Sequence, residues 1–235
     1  MAEDPILSKK LLDEQVRMLA YNVPAQVTGT LLAAIGTAAL LVAYGQAFDS
    51  TMVWLGAIAA MSVVRWWGGR ACVKAGGGPD VHRWKLWFVV SSAVAGALWG
   101  TLALFAFDPN DTQTQAVVVI ALAGIVCSAT QSYAPYFPAH LAFAVPALLP
   151  IMIRCLSSGT ARGVALGFMA LAFLVMAELF ARRIAGSIAD AMRLRFENES
   201  LVAEVSRARD AAEAASRAKT RFLATASHDL RQPIH

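Results

Sequence analysis

The residue types best suited to group-transfer chemistry lie close to the end of the chain, where His228 is followed directly by Asp229. Ala226, Leu230 and Ile234 recur every four residues and predict an apolar helical stripe. His228 is two residues from Ala226 and therefore ~200° around a helix that turns by ~100° per residue. We expect its imidazole to face solvent, where it can act as a nucleophile, while Asp229 can orient the ring and accept a proton.

An exposed His-Asp pair on a helix is by itself ordinary surface, but the surrounding residues are more specific. The string from Ser227 to Pro233 reads Ser-His-Asp-Leu-Arg-Gln-Pro. It resembles the H-box of bacterial sensor histidine kinases, whose pattern is His, Glu or Asp, an aliphatic residue, Arg, any residue and Pro. The resemblance covers about residues 216–235, including the preceding Ala-Lys-Thr-Arg-Phe-Leu-Ala-Thr-Ala-Ser, which is typical of the family's first dimerisation helix.

The resemblance implies a role for four residues. His228 would accept the γ-phosphoryl group of ATP, Asp229 would be the adjacent acid/base, and Arg231 and Pro233 would shape the helix and its bend. ATP and Mg²⁺ would be bound by a domain that this chain lacks, so we expect the chain alone to be inactive. The phosphoryl group would then pass to an aspartate of a receiver domain, and the exact string is common in hybrid kinases.

The composition is that of a polytopic membrane protein. Hydrophobic residues make up 57% and charged residues 15% of the 235 residues, whereas an ordinary soluble domain is about 25% charged. The charges cluster before Tyr21, between Arg65 and Lys85, and after Arg182, and long apolar runs separate these clusters. The net charge of +4 is modest, and its placement beside apolar runs indicates retention in the cytoplasm rather than nucleic-acid binding.

Six apolar runs approach the roughly 20 residues that a helix needs to cross hydrocarbon. They are about Pro24–Gln46, Thr51–Gly68, Leu86–Phe107, Thr114–Ser132, Ala139–Leu156 and Arg162–Ala181, the second being marginal in length. The sequence therefore predicts an all-α membrane bundle of about six spans over residues 24–183. An amphipathic segment, residues 1–23, precedes it and is expected either at the membrane surface or against the soluble part.

The basic residues predict that both termini are cytoplasmic. They occur in the N-terminal segment, between the second and third spans and after the sixth span: Lys9, Lys10, Arg17, Arg65, Arg70, Lys74, Arg83, Lys85, Arg182, Arg183, Arg193 and Arg195. The connections at 49 and 108–111 have none. The positive-inside rule predicts that both ends of this multi-pass protein are cytoplasmic, and the resemblance implies that the membrane is the bacterial inner membrane. Two loops depart from the pattern: 133–140 has no basic residue, and the loop between spans five and six has Arg154 and Arg162.

Few ionisable residues fall within the predicted spans. Glu178 is four residues before Arg182 and is expected to pair with it, and His140 is expected at the interface rather than as a ligand. The proline-rich segment 133–138 could line a small-molecule pocket, move during signalling or hold fixed kinks. The three cysteines have no CxxC spacing, and we predict no metal site.

A long helix is predicted after the spans, because residues 187–225 contain no Gly or Pro. Mostly apolar or small residues recur in heptads. They are Leu194, Leu201, Ala208, Ala215 and Phe222 at d, and Asn198, Val205, Ala212, Lys219 and Ala226 at a, where Asn198 and Lys219 are polar. This pattern predicts a parallel homodimeric coiled coil with a thin seam, or else a single solvated helix. We assign residues 184–215 to this linker and 216–235 to the start of the dimerisation and phospho-acceptor domain.

Two other functions compete with a sensor kinase. The first is a non-catalytic dimeric membrane receptor or scaffold, against which the H-box-like string argues. The second is a small transporter, against which the scarcity of intramembrane charges argues. The membrane part is also similar, more weakly, to multi-span input modules that precede such kinases, on the strength of Arg195-Phe-Glu-Asn-Glu-Ser-Leu and the Tyr-Pro-rich segment.

Overall fold

The protein is all-helical over the residues that the structure describes. In this computed structural model the backbone is described for residues 5–76 and 80–230, and the side chains for 9–76 and 80–221. The helices are α1 (Pro5–Ala43), α2 (Phe48–Ala75), α3 (Val81–Gly100), α4 (Leu102–Phe105), α5 (Thr112–Ser132), α6 (Phe137–Leu156) and α7 (Ala161–Leu230). The described residues contain no strand, so the predicted all-α class is confirmed.

Five segments of the described chain are long and apolar enough to cross a membrane. They are Lys9–Ala43, Val81–Phe105, Thr112–Ser132, Phe137–Leu156 and Ala161–Arg221. The second predicted span falls in α2, which does not meet the same criterion of length and hydropathy. At 28 residues α2 is long enough, but Arg65 lies within its apolar stretch. A span at α2 therefore stays a prediction.

Helices α1, α2, α3, α6 and α5 form a closed ring in the compact unit that covers residues 1–189. In that order each helix packs against the next, and α5 packs back against α1. The buried interior includes Leu19, Leu41, Phe88, Trp99 and Leu122. The packing of α3 on α6 is especially close, because a Cβ at Gly96 would overlap a backbone oxygen of α6.

The N-terminal amphipathic segment and the first apolar run form one helix, α1, with Pro24 inside it. Its apolar side is buried, since Val16, Leu19 and Val23 are at most 2% exposed. Val23 lies against α2 at Gly69, where an added Cβ would contact it. The buried side of this segment thus packs on the bundle itself, and its placement at the membrane surface or against the soluble part stays a prediction.

The second compact unit begins at Asp190 and is helical over its described residues. Its described side chains lie largely on the surface, including Leu201 and Val205, which are more than half exposed. Pairs at i,i+4, such as Arg195 with Glu199 at 2.9 Å, support the helix. The exposed apolar residues suit a dimer seam, but the coiled coil stays a prediction.

Candidate phospho-acceptor and buried polar sites

The predicted phospho-acceptor lies on the last described turns of α7. The backbone at His228 and Asp229 is helical, as the apolar stripe predicted, but their side chains lie outside the described part of the structure. Arg231 and Pro233 lie outside the described residues altogether. The orientation of the imidazole and the bend at Pro233 therefore stay predictions.

Arg65 is the most deeply placed charge of the described bundle. We expected it in the cytoplasmic connection after the second span, and this expectation was wrong, because α2 continues to Ala75 and leaves Arg65 only 5% exposed. Its guanidinium donates to the hydroxyls of Ser91 and Ser92 at 3.2 and 3.3 Å and to Oε1 of Gln26 at 2.8 Å. It also lies over the ring of Tyr133, 5.3 Å from the centroid.

A small cavity adjoins Arg65 at the centre of the ring of helices. Its volume is about 30 Å³, and all five ring helices line it, through residues that include Gln26, Ser62, Trp99, Ser132 and Phe143. The side-chain nitrogen of Gln26 is buried there without a hydrogen-bond partner. Tyr133 also lines the cavity, so part of the proline-rich segment does face a pocket, which was one of the alternatives for it.

His140 and Glu178 form a second buried polar group, between α6 and α7. The His140 side chain is fully buried, and its Nδ1 lies 3.3 Å from Oε1 of Glu178 without the alignment of a hydrogen bond. On the other side of the ring, Nε2 lies 3.0 Å from the hydroxyl of Thr130, which is also 3.0 Å from the carbonyl of Val126.

The position of Thr130 limits the protonation states in which the contact between His140 and Glu178 is favourable. If the Thr130 hydroxyl donates to the carbonyl of Val126, then Nε2 must donate to Thr130, and Nδ1 of a neutral ring would turn its lone pair toward the carboxylate. The contact is favourable only if the ring is doubly protonated or Glu178 holds the proton. If Thr130 donates to Nε2 instead, Nδ1 carries the proton toward Glu178. Each favourable arrangement thus places a proton on Nδ1 or on Glu178.

This contact corrects one expectation, because Glu178 lies against α6 instead of pairing with Arg182 within 4 Å. His140 is buried within the bundle, and its place at the membrane interface stays a prediction. Arg182 lies over the ring of Phe137, 4.8 Å from its centroid. The spacing of Glu178 and Arg182 in sequence could not show this, because the partner of Glu178 comes from another helix.

Two basic residues lie where α6 ends and α7 begins, at the end of the bundle opposite to His140. Arg154 donates to the carbonyls of Leu104 and Phe107 at 3.4 and 3.0 Å, and Arg162 donates to the Thr112 hydroxyl at 2.9 Å. These hydrogen bonds give both arginines a structural role, which explains why they depart from the basic-loop pattern.

The N-terminus of α5 lies at that end and is capped by Asp111. Its carboxylate accepts from the backbone N–H of Gln113 at 2.9 Å and of Thr114 at 3.4 Å. The hydrogen bond from Gln113 is the main reason that the pKa of Asp111 lies below its ordinary value of 3.8. A cap of this kind fixes where α5 begins.

The described residues contain no cluster of three or more His, Cys, Asp or Glu side chains that could hold a metal ion. The free thiols of Cys72, Cys127 and Cys155 are likewise unpaired with one another.

Comparison with known proteins gives one significant similarity. No family model matches the chain, and no solved structure matches it significantly. Over 47 residues the chain is 53% identical to the sensor histidine kinase AruS of Pseudomonas aeruginosa. The matched stretch is 20% of this chain and only 5% of that kinase. The chain is thus an all-helical protein with several membrane-length apolar helices and a short stretch similar to a sensor histidine kinase.

Proposed function

We propose that this chain is the membrane input part of a sensor histidine kinase, together with the start of its dimerisation and phospho-acceptor domain. The proposal rests on the similarity to a sensor histidine kinase, which is 53% identical to this chain over 47 residues. The H-box-like string from His228 to Pro233 also supports it. The apolar helices support a location in the inner membrane of a bacterium.

In this function His228 is the nucleophile. A ring nitrogen attacks the γ-phosphorus of Mg²⁺-bound ATP, the bond to the β–γ bridging oxygen breaks, and ADP leaves as the nitrogen–phosphorus bond forms. Asp229 orients the ring and takes up its proton. The ATP-binding domain belongs to the remainder of the protein, and the phosphoryl group passes on to an aspartate of a receiver domain.

Both termini are cytoplasmic in this proposal. Asn22 of α1 donates to the carbonyl of Ser132 at 3.2 Å, so the N-terminal part of α1 and the C-terminal end of α5 lie at one end of the bundle. Arg70 and Lys74, near the C-terminal end of α2, are close to this end because Gly69 packs on Val23. The collected positive charge supports a cytoplasmic location for it.

Helix α7 is the element that would carry the signal. It begins at Ala161, touches α6 through Glu178, and includes His228 before it ends at Leu230. A change in the bundle that alters the Glu178–His140 contact would bias the packing of α7, and paired copies of α7 would present this change to the phospho-acceptor. The homodimer forms through the heptads of residues 187–226.

Autophosphorylation tests this function. The chain is joined in native order to a completed dimerisation hairpin and ATP-binding domain, reconstituted in lipid and supplied with labelled ATP. We expect acid-labile label that His228→Gln abolishes and Asp229→Asn slows. His235→Gln is the matched control and should retain the label. Full labelling of the His228→Gln protein would refute the proposed phospho-acceptor.

A further inference from the structure

Arg65 is a buried cation without a neutralising partner. Within the described chain no carboxylate lies within 4 Å of it, and the three hydrogen bonds that it donates to neutral side chains use three of its five N–H groups. Burial of a charge is costly unless an opposite charge and further hydrogen bonds compensate it. A lone cation inside a membrane bundle is therefore expected to serve a function.

The surroundings of Arg65 would suit an anion. Ser62 lines the cavity beside it and brings a hydroxyl group, and the side-chain nitrogen of Gln26 is buried without a hydrogen-bond partner. Trp99 and Phe143 supply apolar walls. Such a combination of apolar walls and a few convergent polar groups is typical of small-molecule sites.

The size of the cavity limits what it can hold. One water molecule needs about 10–15 Å³ of the same measure, so about 30 Å³ accommodates a group of only a few atoms. Ser128, which also lines the cavity, is exposed, so a short substituent can extend on that side. A phospholipid headgroup with its glycerol is too large for this space.

We propose that this cavity is a binding site for a small carboxylate anion, with Arg65 as its charged anchor. A carboxylate fits the planar guanidinium, whose remaining N–H groups can donate to it. The Ser62 hydroxyl can donate as well. The proposal goes beyond the proposed kinase function and does not depend on it.

Binding is tested on the purified chain in mild detergent. Sodium acetate is titrated against sodium chloride at constant ionic strength, and the melting temperature is followed by tryptophan fluorescence. We expect a saturable rise in melting temperature, because a ligand that binds only the folded state stabilises it. Acetamide, which has nearly the same shape but no charge, should have no such effect.

Variants show whether Arg65 is the anchor. Arg65→Gln should remove the acetate response, and Arg65→Lys, which keeps the charge but loses the planar fork, should weaken it by about tenfold. If Arg65→Gln does not fold, Arg65→Lys carries the test. Arg70→Gln is the matched control, because Arg70 is exposed and stacks on Trp66 at 3.9 Å, and it should respond like the unaltered chain.

Three outcomes would overturn the proposal. They are the lack of a saturable acetate response in the unaltered chain, an equal response to acetamide, and an unchanged acetate affinity in Arg65→Lys. A saturable response to added phosphatidylglycerol without one to acetate would also overturn it, in favour of a lipid headgroup. No arm of the experiment measures phosphorylation, so its result is separate from the fate of the kinase proposal.

Discussion

The contact between His140 and Glu178 predicts a measurable coupling between α6 and α7. The perturbation is a double-mutant cycle with His140→Ala, Glu178→Gln and the double variant, measured as free energies of unfolding. Such a cycle isolates the pairwise energy from the other contacts that each side chain makes.

The geometry sets the expected magnitude. Hydrogen bonds to charged groups contribute about 1.5–3 kcal/mol when well formed, whereas cycles on interhelical hydrogen bonds in membranes average about 0.6 and reach about 1.7 kcal/mol. The two atoms are 3.3 Å apart without the alignment of a hydrogen bond, so we expect a coupling below that of a well-formed charged hydrogen bond. Both groups are ionisable and largely buried, so we expect a coupling above the average for interhelical hydrogen bonds in membranes. We expect a coupling of about 1 kcal/mol.

The assay is reversible unfolding of the purified chain in mixed micelles at neutral pH, followed by circular dichroism as denaturing detergent is added. A cycle of His140→Ala with Arg162→Gln is the control, because Arg162 lies at the opposite end of the bundle and donates to Thr112. That cycle should be additive within about 0.3 kcal/mol. A His140–Glu178 coupling energy no larger than that of the control would refute a favourable, proton-dependent contact between the two side chains.

Three further predictions follow from other parts of the molecule. Gly96→Leu should lower the free energy of unfolding by more than the about 1–3 kcal/mol of an ordinary overpacked site, because the added side chain meets the backbone of α6. Gly124→Leu should be nearly neutral, because a Cβ there has no neighbour within 4 Å. Equal losses for the two variants in the same unfolding assay would contradict this. Asp111→Ala should lower the free energy of unfolding at neutral pH, because a helix cap is lost. The folded pKa of Asp111 lies below 3.8, so the stabilisation by the cap is present above the unfolded pKa and is lost as the pH falls through the folded value; an equal loss from the variant at neutral pH and below that range would argue against the cap. Cysteine at Leu201 should form a disulfide with its counterpart in a second copy under mild oxidation far more than cysteine at Ala203, and similar yields at both positions would argue against the predicted seam.

The helices themselves could be predicted from sequence because each is a continuous apolar or amphipathic run. The runs at 114–132 and 139–156 match α5 and α6 within a few residues. The end of α2 could not be predicted, because Arg65 and Arg70 end the apolar run but not the helix. Hydropathy marks where a segment becomes polar, and a helix continues past that point when its polar side chains find partners.

The buried polar groups could not be predicted for a related reason. His140 is 38 residues from Glu178 in sequence, and Arg65 finds its hydroxyl partners on α3. Only the packing of the helices against one another determines which of these side chains meet. The sequence indicates only that a charged residue within or beside an apolar run needs a partner. It does not indicate which residue that partner is.

A candidate phospho-acceptor could be proposed from sequence, in contrast, because the H-box-like string is local. The neighbours of His228 in sequence would carry the chemistry, so the string alone distinguishes it from the other histidines. In the proposed function its environment would also depend on a second dimerisation helix and on a partner copy.

Localisation of the phosphoryl group tests the central claim most directly. Trypsin cleaves after Arg221 and Arg231, and the peptide between them contains His228 and no other histidine. The kinase assembled in native order is incubated with ATP, digested at alkaline pH to preserve phosphohistidine, and sequenced by mass spectrometry. We predict the phosphoryl group on His228 of this peptide. An unmodified peptide from protein that carries acid-labile phosphate elsewhere would contradict the account.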